Sequence, residues 1–413
     1  MVNLFTLSTR AWGSVVNEID LKSLLTDRTL GTPTGRIVRV LSERGGSSAT
    51  QIARLTGLAK STVSMTLSDL RQSGMVVEGA LPETARSGGA GRPATMLTLN
   101  PQAGTCVGAL IGLSQIQVIV ADVSHAIIAS KTEEMEYDYS PGEAAAVIRR
   151  LIGETYAEHS LSKAGLLGVG VAIAGPVNPT DGRIQRASVV PTWAGIDVRQ
   201  LFEPVLQRPI FADNESNCAA LAEMMWGAAI GHEDFVLFKI DVGVGGAIVY
   251  GGRVMTGIAG AAGEFGHMTI DPDGPLCRCG NRGCLELYAS FKANLQFAAA
   301  RFGRAMTMDD VILLAERGDV GCRRLIEDTA IAAGRGLGMI GTIINPPLIV
   351  IGGRMALAGR MLLEPLIASY EKHTLVKRTD VPVEARTEIV VGKFTENDSC
   401  LGAVGLVLRH HGG

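Results

Sequence analysis

Between Cys277 and Cys284 the chain reads C-R-C-G-N-R-G-C, and a short way upstream E-F-G-H ends at His267. Three thiols and an imidazole packed this densely restrict the fold more than any other feature of the sequence. The remaining cysteines, Cys106, Cys218, Cys322 and Cys400, are scattered through apolar surroundings and bring the total to seven. An odd number with one cluster argues for a metal site plus buried thiols, not a disulfide frame. One imidazole and three thiolates complete a tetrahedron around Zn²⁺, and a closed set with no place left for water is structural, not hydrolytic. The ligands expected are His267, Cys277, Cys279 and Cys284, and the ion's work is to hold a loop in place.

With 413 residues, the chain exceeds one ordinary core and calls for two or three units. Hydrophobic residues at 46% and charged residues at 19% describe a globular protein, and no apolar run is long enough to span a bilayer. Met1 to Arg10 lack the basic start and apolar block of a secretory signal, so the expectation is a cytoplasmic protein without membrane contact. The net charge of −3 is unevenly spread: residues 1–100 carry 11 Lys/Arg against 7 Asp/Glu, which leaves 27 against 34 for the rest. A mildly basic head precedes an acidic body.

In the head, Thr34 is positioned to cap a helix with Ile37, Val38 and Leu41 on its buried stripe, stopped by Gly45 and Gly46. The next stretch spaces a short helix from Ala49 to Thr56, a turn at Gly57 and a second helix from Lys60 to Gln72, which is helix-turn-helix spacing. Val63, Leu67 and Leu70 face the core, which leaves Lys60, Ser61, Thr62, Ser64, Thr66 and Arg71 outward. Short hydroxyls and cations let a helix backbone approach base edges and phosphates closely in a major groove. Met75 to Gly79 and Ala94 to Leu99 alternate as two strands around a glycine-rich tip, a wing that lays Arg92, and Arg86 beside it, on the sugar-phosphate backbone. Double-stranded DNA is the partner this pattern fits.

From about Cys106 the texture becomes apolar strands, glycine turns and alanine-rich helices, as in an α/β body. There the E-F-G-H and cysteine motifs, with F-A-D-N-E-S-N-C-A-A-L-A-E (Phe211 to Glu223), resemble the ROK family (repressors, open reading frames and kinases). The similarity extends from the wing through the last helix and is nearest to the xylose and N-acetylglucosamine repressor branch. The resemblance implies a winged helix-turn-helix (residues 1–101, with its N-terminal extension) followed by a two-lobed actin-like, ribonuclease H-like sugar-kinase fold (102–413). Lobe one is placed at about 102–212 plus the C-terminal helix, and lobe two at about 213–395. It further implies a sugar effector held by Asn214, Glu215, Glu264, His267 and Glu286, with Ser188 a weaker contact in the Gly175 to Trp193 loop. Carboxylates suit such work because each accepts charge-assisted hydrogen bonds from hydroxyls.

Three positions depart from the family's kinases. The hairpin I-G-L-S-Q-I (Ile111 to Ile116) lacks the kinases' aspartate. The second phosphate loop reads I-D-V-G-V-G-G (Ile240 to Gly246), where Asp241 would repel phosphate. Glu215 stands where an aspartate base is expected, one methylene too long, and a base misplaced by about 1 Å costs on the order of a hundredfold in rate. The expectation is a non-catalytic kinase homologue with Glu215 as a vestigial base: a sugar-responsive repressor, working as a homodimer or dimer of dimers because half-sites come in pairs. An active ATP-dependent hexose kinase is the alternative.

Overall fold

The structure, a computed structural model, describes Leu21 and residues 31–79, 95–178, 181–185 and 191–410. Arg86, Arg92 and Ser188 lie outside the described residues.

The head opens with α1 (Pro33–Arg44). Thr32, not Thr34, caps it: the Thr32 hydroxyl accepts from the Gly35 amide at 3.1 Å. Pro33 explains the shift, because its fixed φ and missing N–H suit the first helical position. After β1 (Ser47–Ser48), α2 (Ala49–Thr56) is fastened by a reciprocal cap between Ser48 and Gln51 and ends on left-handed Gly57. The second helix, α3 (Lys60–Gln72), is followed by β2 (Val76–Gly79) and β3 (Met96–Leu99). These two strands pair antiparallel, Val76 opposite Leu99 and Gly79 opposite Met96, in a three-stranded sheet of order β1-β3-β2. Helices followed by such a sheet form a winged helix-turn-helix.

The body begins with β4 (Thr105–Ile111), β5 (Gln115–Asp122), β6 (Ile127–Glu134), α4 (Pro141–Glu158), β7 (Leu166–Ile173), α5 (Val198–Leu206) and β8 (Ile210–Asn214). They make a five-stranded sheet of order β6-β5-β4-β7-β8. Helix α6 (Glu215–Trp226) then leads to β9 (Phe235–Ile240), β10 (Val244–Tyr250) and β11 (Arg253–Val254). The metal-ligand motifs and α7 (Glu286–Ala289), α8 (Phe291–Phe302), α9 (Met308–Glu316) and α10 (Val320–Ile344) follow. The chain closes with β12 (Leu348–Gly352), α11 (Arg360–His373), β13 (Glu388–Val391) and α12 (Asp398–His410). The second sheet has order β11-β10-β9-β12-β13.

The inner strands of each sheet are apolar on both faces, as their helical cover requires. One face of the first sheet packs on α4 and α5 through Ile148, Leu151 and Phe202, with Trp193 from the turn before α5. Its other face meets α12 and α6, where Gly108 and Gly170 make room. A Cβ on Gly108 would lie 2.0 Å from the Cys400 carbonyl oxygen, and one on Gly170 1.9 Å from that of Ala403. The second sheet is covered by α10 and α11 on one side and by Ala219 and Ala220 of α6 on the other. Helices α6 and α12 are thus the layer between two sheets, and the cleft opens where that layer begins. The head is docked on the same layer: Ile37, Leu41, Val63 and Leu67 belong to one apolar cluster with Leu221, Trp226, Val404 and Val407.

The two halves of the body are tied by a buried ion pair. Lys239, on β9 of the second sheet, lies 3.0 Å from Asp398 at the start of α12, with the Ser399 hydroxyl also at 3.0 Å. Both side chains are 8% exposed. Removing one partner of such a pair strands a buried charge and costs roughly 3–5 kcal/mol, whereas replacing both is far milder. Lys239→Met is therefore expected to lower the urea midpoint sharply, and Lys239→Met with Asp398→Ala to recover most of the loss.

Candidate functional site

The cleft between the sheets has a volume of about 720 Å³. Its wall includes Asn214, Glu215, Glu264, His267 and Glu286, so the structure gathers the five expected sugar ligands into one cavity. Strand β8 delivers Asn214 to the corner where α6 begins. There the Asn214 side chain caps the helix, accepting from the Ser216 amide at 2.8 Å and donating to the Gly175 carbonyl at 2.9 Å. The next residue, Glu215, enters the cleft. Burial raises its carboxyl pKa, Lys239 works against that, and Asp241 and Asp398 add to it.

Glu286 at the start of α7 accepts from the Val244 amide at 3.3 Å and from the Arg278 guanidinium at 2.9 Å. Glu264 is pushed up to about 7 by burial, with Glu215 and Glu286 adding to the effect. The cleft is therefore lined by carboxyls held apart by different partners, a surface for neutral, hydroxyl-rich molecules. On its far side Asp241 closes on itself. One carboxylate oxygen accepts from the Val242 amide at 2.9 Å and the other from the Arg354 amide at 3.4 Å.

His267, Cys277, Cys279 and Cys284 place one donor atom each within 4.8 Å of one another. Cys277 Sγ is 3.7 Å from His267 Nδ1, and Cys279 Sγ is 3.6 Å from Cys284 Sγ. A tetrahedron with metal–sulfur bonds of about 2.3 Å has edges of about 3.8 Å, so the spacing fits an ion at the centre. Burial lowers the His267 pKa and so favours the neutral ring that a metal would require. At Cys279, burial pushes the thiol up but hydrogen bonds, first from the Asn281 backbone, bring it below its ordinary value. The cluster can hold a metal. The two ring nitrogens of His267 divide the labour: Nδ1 faces the thiols while Nε2 lies 3.9 Å from Glu264 on the cleft side.

On the head, Lys60, Ser61, Ser64 and Arg71 of α3 are exposed and Thr62 is half-buried. Thr66 is buried, at 6% exposure, and leaves the outward set. It falls three residues after Val63, and i+3 lies on the same stripe as i+4 and i+7. Arg71 is paired with Glu78 at 3.3 Å, both side chains well exposed. Sequence reasoning missed Met65 and Ser68 on the outward face, Met65 being 65% exposed. It also missed Lys239, Asp398 and Arg278 in the cleft. Lys239 alone leaves a trace, as a cation interrupting the apolar run F-V-L-F-K-I of β9.

Fold and site together define a two-lobed sugar-kinase-type body bearing a winged helix-turn-helix. The chain belongs to the ROK family, which matches residues 106–410, and residues 34–79 match the IclR helix-turn-helix domain. The chain is 29% identical over 365 residues to a xylose repressor of Bacillus subtilis (strain 168), covering 88% of this chain and 91% of that repressor. It is 32% identical over 252 residues to a glucokinase of Halalkalibacterium halodurans, covering 57% of this chain and 74% of the kinase. Among solved structures, a ROK family transcriptional regulator described as a homolog of the E. coli MLC protein superposes with a TM-score of 0.71 at 21% identity. That match covers 95% of this chain and 97% of the regulator. No helix among the described residues is long and apolar enough to cross a membrane.

The cluster geometry predicts a cobalt-thiolate spectrum. Titrating the metal-stripped chain with Co²⁺ is expected to give visible bands of tetrahedral thiolate ligation with an end point of about one ion per chain. Cys279→Ser is expected to weaken or abolish them.

Proposed function

We propose that the protein is a sugar-responsive DNA-binding transcriptional repressor whose kinase-type cleft senses a carbohydrate without transferring phosphate. One observation carries the reading: the core of the DNA-reading head is continuous with the α6–α12 layer that floors the acid-lined cleft. A ligand that prefers one arrangement of the lobes therefore shifts the seat of the head, and operator affinity changes by the same coupling free energy. The sugar ligands are Glu215, Glu264, His267 through Nε2, and Glu286, with Asn214 fixing the corner from which Glu215 projects. Zn²⁺ fits the donor set; when bound it supplies structure, fixing the His267 ring and the Cys277–Cys284 loop, and no bond-making chemistry.

The Asp241 carboxylate supports the absence of phosphotransfer. A phosphate cradle needs free amide donors and no fixed anion. Here the Val242 and Arg354 amides both point at Asp241. The partner implied is double-stranded DNA read by a homodimer or dimer of dimers in the cytoplasm, with α3 in the major groove. Ser61, Ser64 and Ser68 serve as small donors, and Met65 offers an apolar contact for thymine methyls.

Calorimetric titration of the full chain with D-xylose, D-glucose and N-acetyl-D-glucosamine is expected to show binding of at least one. Glu264→Gln should weaken it by about tenfold, the loss of about one hydrogen bond to a sugar hydroxyl. Sugar-dependent ADP release from Mg·ATP at about 1 s⁻¹ or faster, the working range of kinases, would establish the kinase reading instead. With a duplex selected from a random pool, Lys60→Ala should reduce affinity across all sequences and flatten the salt dependence. Met65→Ala should instead reduce discrimination at individual base pairs.

A further inference from the structure

Helix α6 touches both ends of the proposed signal. Its first residue, Glu215, lies in the cleft, and its last, Trp226, lies about 17 Å away, eleven steps along the helix at a rise of about 1.5 Å per residue. There the indole meets the imidazole of His125, ring centroids 4.3 Å apart and planes inclined by 32°. His125 Nε2 lies 2.7 Å from the carbonyl oxygen of Ser42 in α1, the first helix of the head. A carbonyl only accepts, so Nε2 carries the proton. The Ser42 carbonyl belongs to the last turn of α1, where carbonyls have no partner within the helix. Burial pushes His125 down to about 4 and keeps the ring neutral.

The imidazole is also held rigidly from behind. His125 has φ 78°, a left-handed conformation unusual outside glycine, in the turn between β5 and β6. The Asp122 carboxylate fastens that turn by accepting from the Ser124 amide at 2.7 Å, the Ser124 hydroxyl at 2.6 Å and the Ala126 amide at 3.2 Å. On the other side, α1 ends at Gly45, whose own Cβ, were there one, would sit 3.3 Å from His125 Nδ1. One residue, carried on a turn of the body sheet, thus sets its ring between the cleft helix and the end of the head's first helix.

We propose that His125 is the positioning residue through which the sugar cleft sets the seat of the DNA-reading head: a shift of α6 moves Trp226, and the His125 ring transmits it to the Ser42 carbonyl and α1. The proposal rests on the sugar-responsive reading above and goes beyond it by naming the contact. It is tested in the full chain with His125→Ala, and with His125→Asn, which tolerates positive φ, in case the first fails to fold.

Two measurements are needed. The first is the ratio of affinities for the selected duplex without and with saturating D-xylose, or whichever of the three sugars binds. The ratio should fall from the several-fold or greater value of an allosteric coupling to within about twofold of one, at unchanged sugar affinity. An unchanged ratio overturns the proposal. The second is amide hydrogen exchange over residues 38–46 without sugar or DNA, expected to quicken by about fivefold, the effect of one ordinary hydrogen bond. Failure of sugar to alter operator affinity in the unsubstituted chain defeats the preceding reading. Unchanged exchange in the His125 variants defeats this one whatever the sugar does.

Discussion

The last helix lies so close to the first sheet that backbone meets backbone, and the architecture follows from that contact. Only hydrogen fits at Gly108 and Gly170 beneath α12, and at Gly402 a Cβ would lie 1.6 Å from the carbonyl oxygen of Cys218 in α6. Helices α12 and α6 are thereby pressed into one thin layer. A thicker layer would separate the sheets and widen the cleft between them. It would also lift α1 away from Leu221 and Val404, with which the head shares its core. The chain's final segment consequently governs the docking of its first domain.

The cleft is an exercise in keeping acids apart. Asp398 is paired with Lys239 and Glu286 with Arg278, Asp241 stays an anion held by backbone amides, and Glu215 and Glu264 face the cavity with raised pKa values. Glu264, pushed up to about 7, can donate as well as accept hydrogen bonds, which suits a hydroxyl-bearing ligand. The arrangement discriminates by charge as well: a neutral polyol enters without an electrostatic cost that an anion would meet.

What could be read from the sequence was local, and what could not was long-range. The end of α2 was legible because the turn residue Gly57 sits next to the helix it limits. That His267 and the three cysteines come together was legible because they are close in sequence and chemically unlike their surroundings. Thr66 was misplaced because it is polar and short, and the face it shares with Val63 is set by geometry, not residue type. The corner at Asn214 was located correctly, yet its side chain is largely engaged in capping α6. The Lys239–Asp398 pair joins residues 159 apart and His125–Ser42 joins residues 83 apart. Lys239 stands out in its apolar strand, but nothing local names its partner, and Asp398, His125 and Ser42 each read as ordinary polar residues.

The buried Lys239–Asp398 bridge also bears on how the lobes can move. A motion that pulled the second sheet straight away from α12 would draw opposite charges apart in a region too narrow to hydrate them fully, and so would meet a steep electrostatic penalty. A rotation that leaves the bridge near its axis meets none. The bridge therefore resists straight separation of the two halves far more than a swing about itself, so any opening of the cleft is steered towards its mouth.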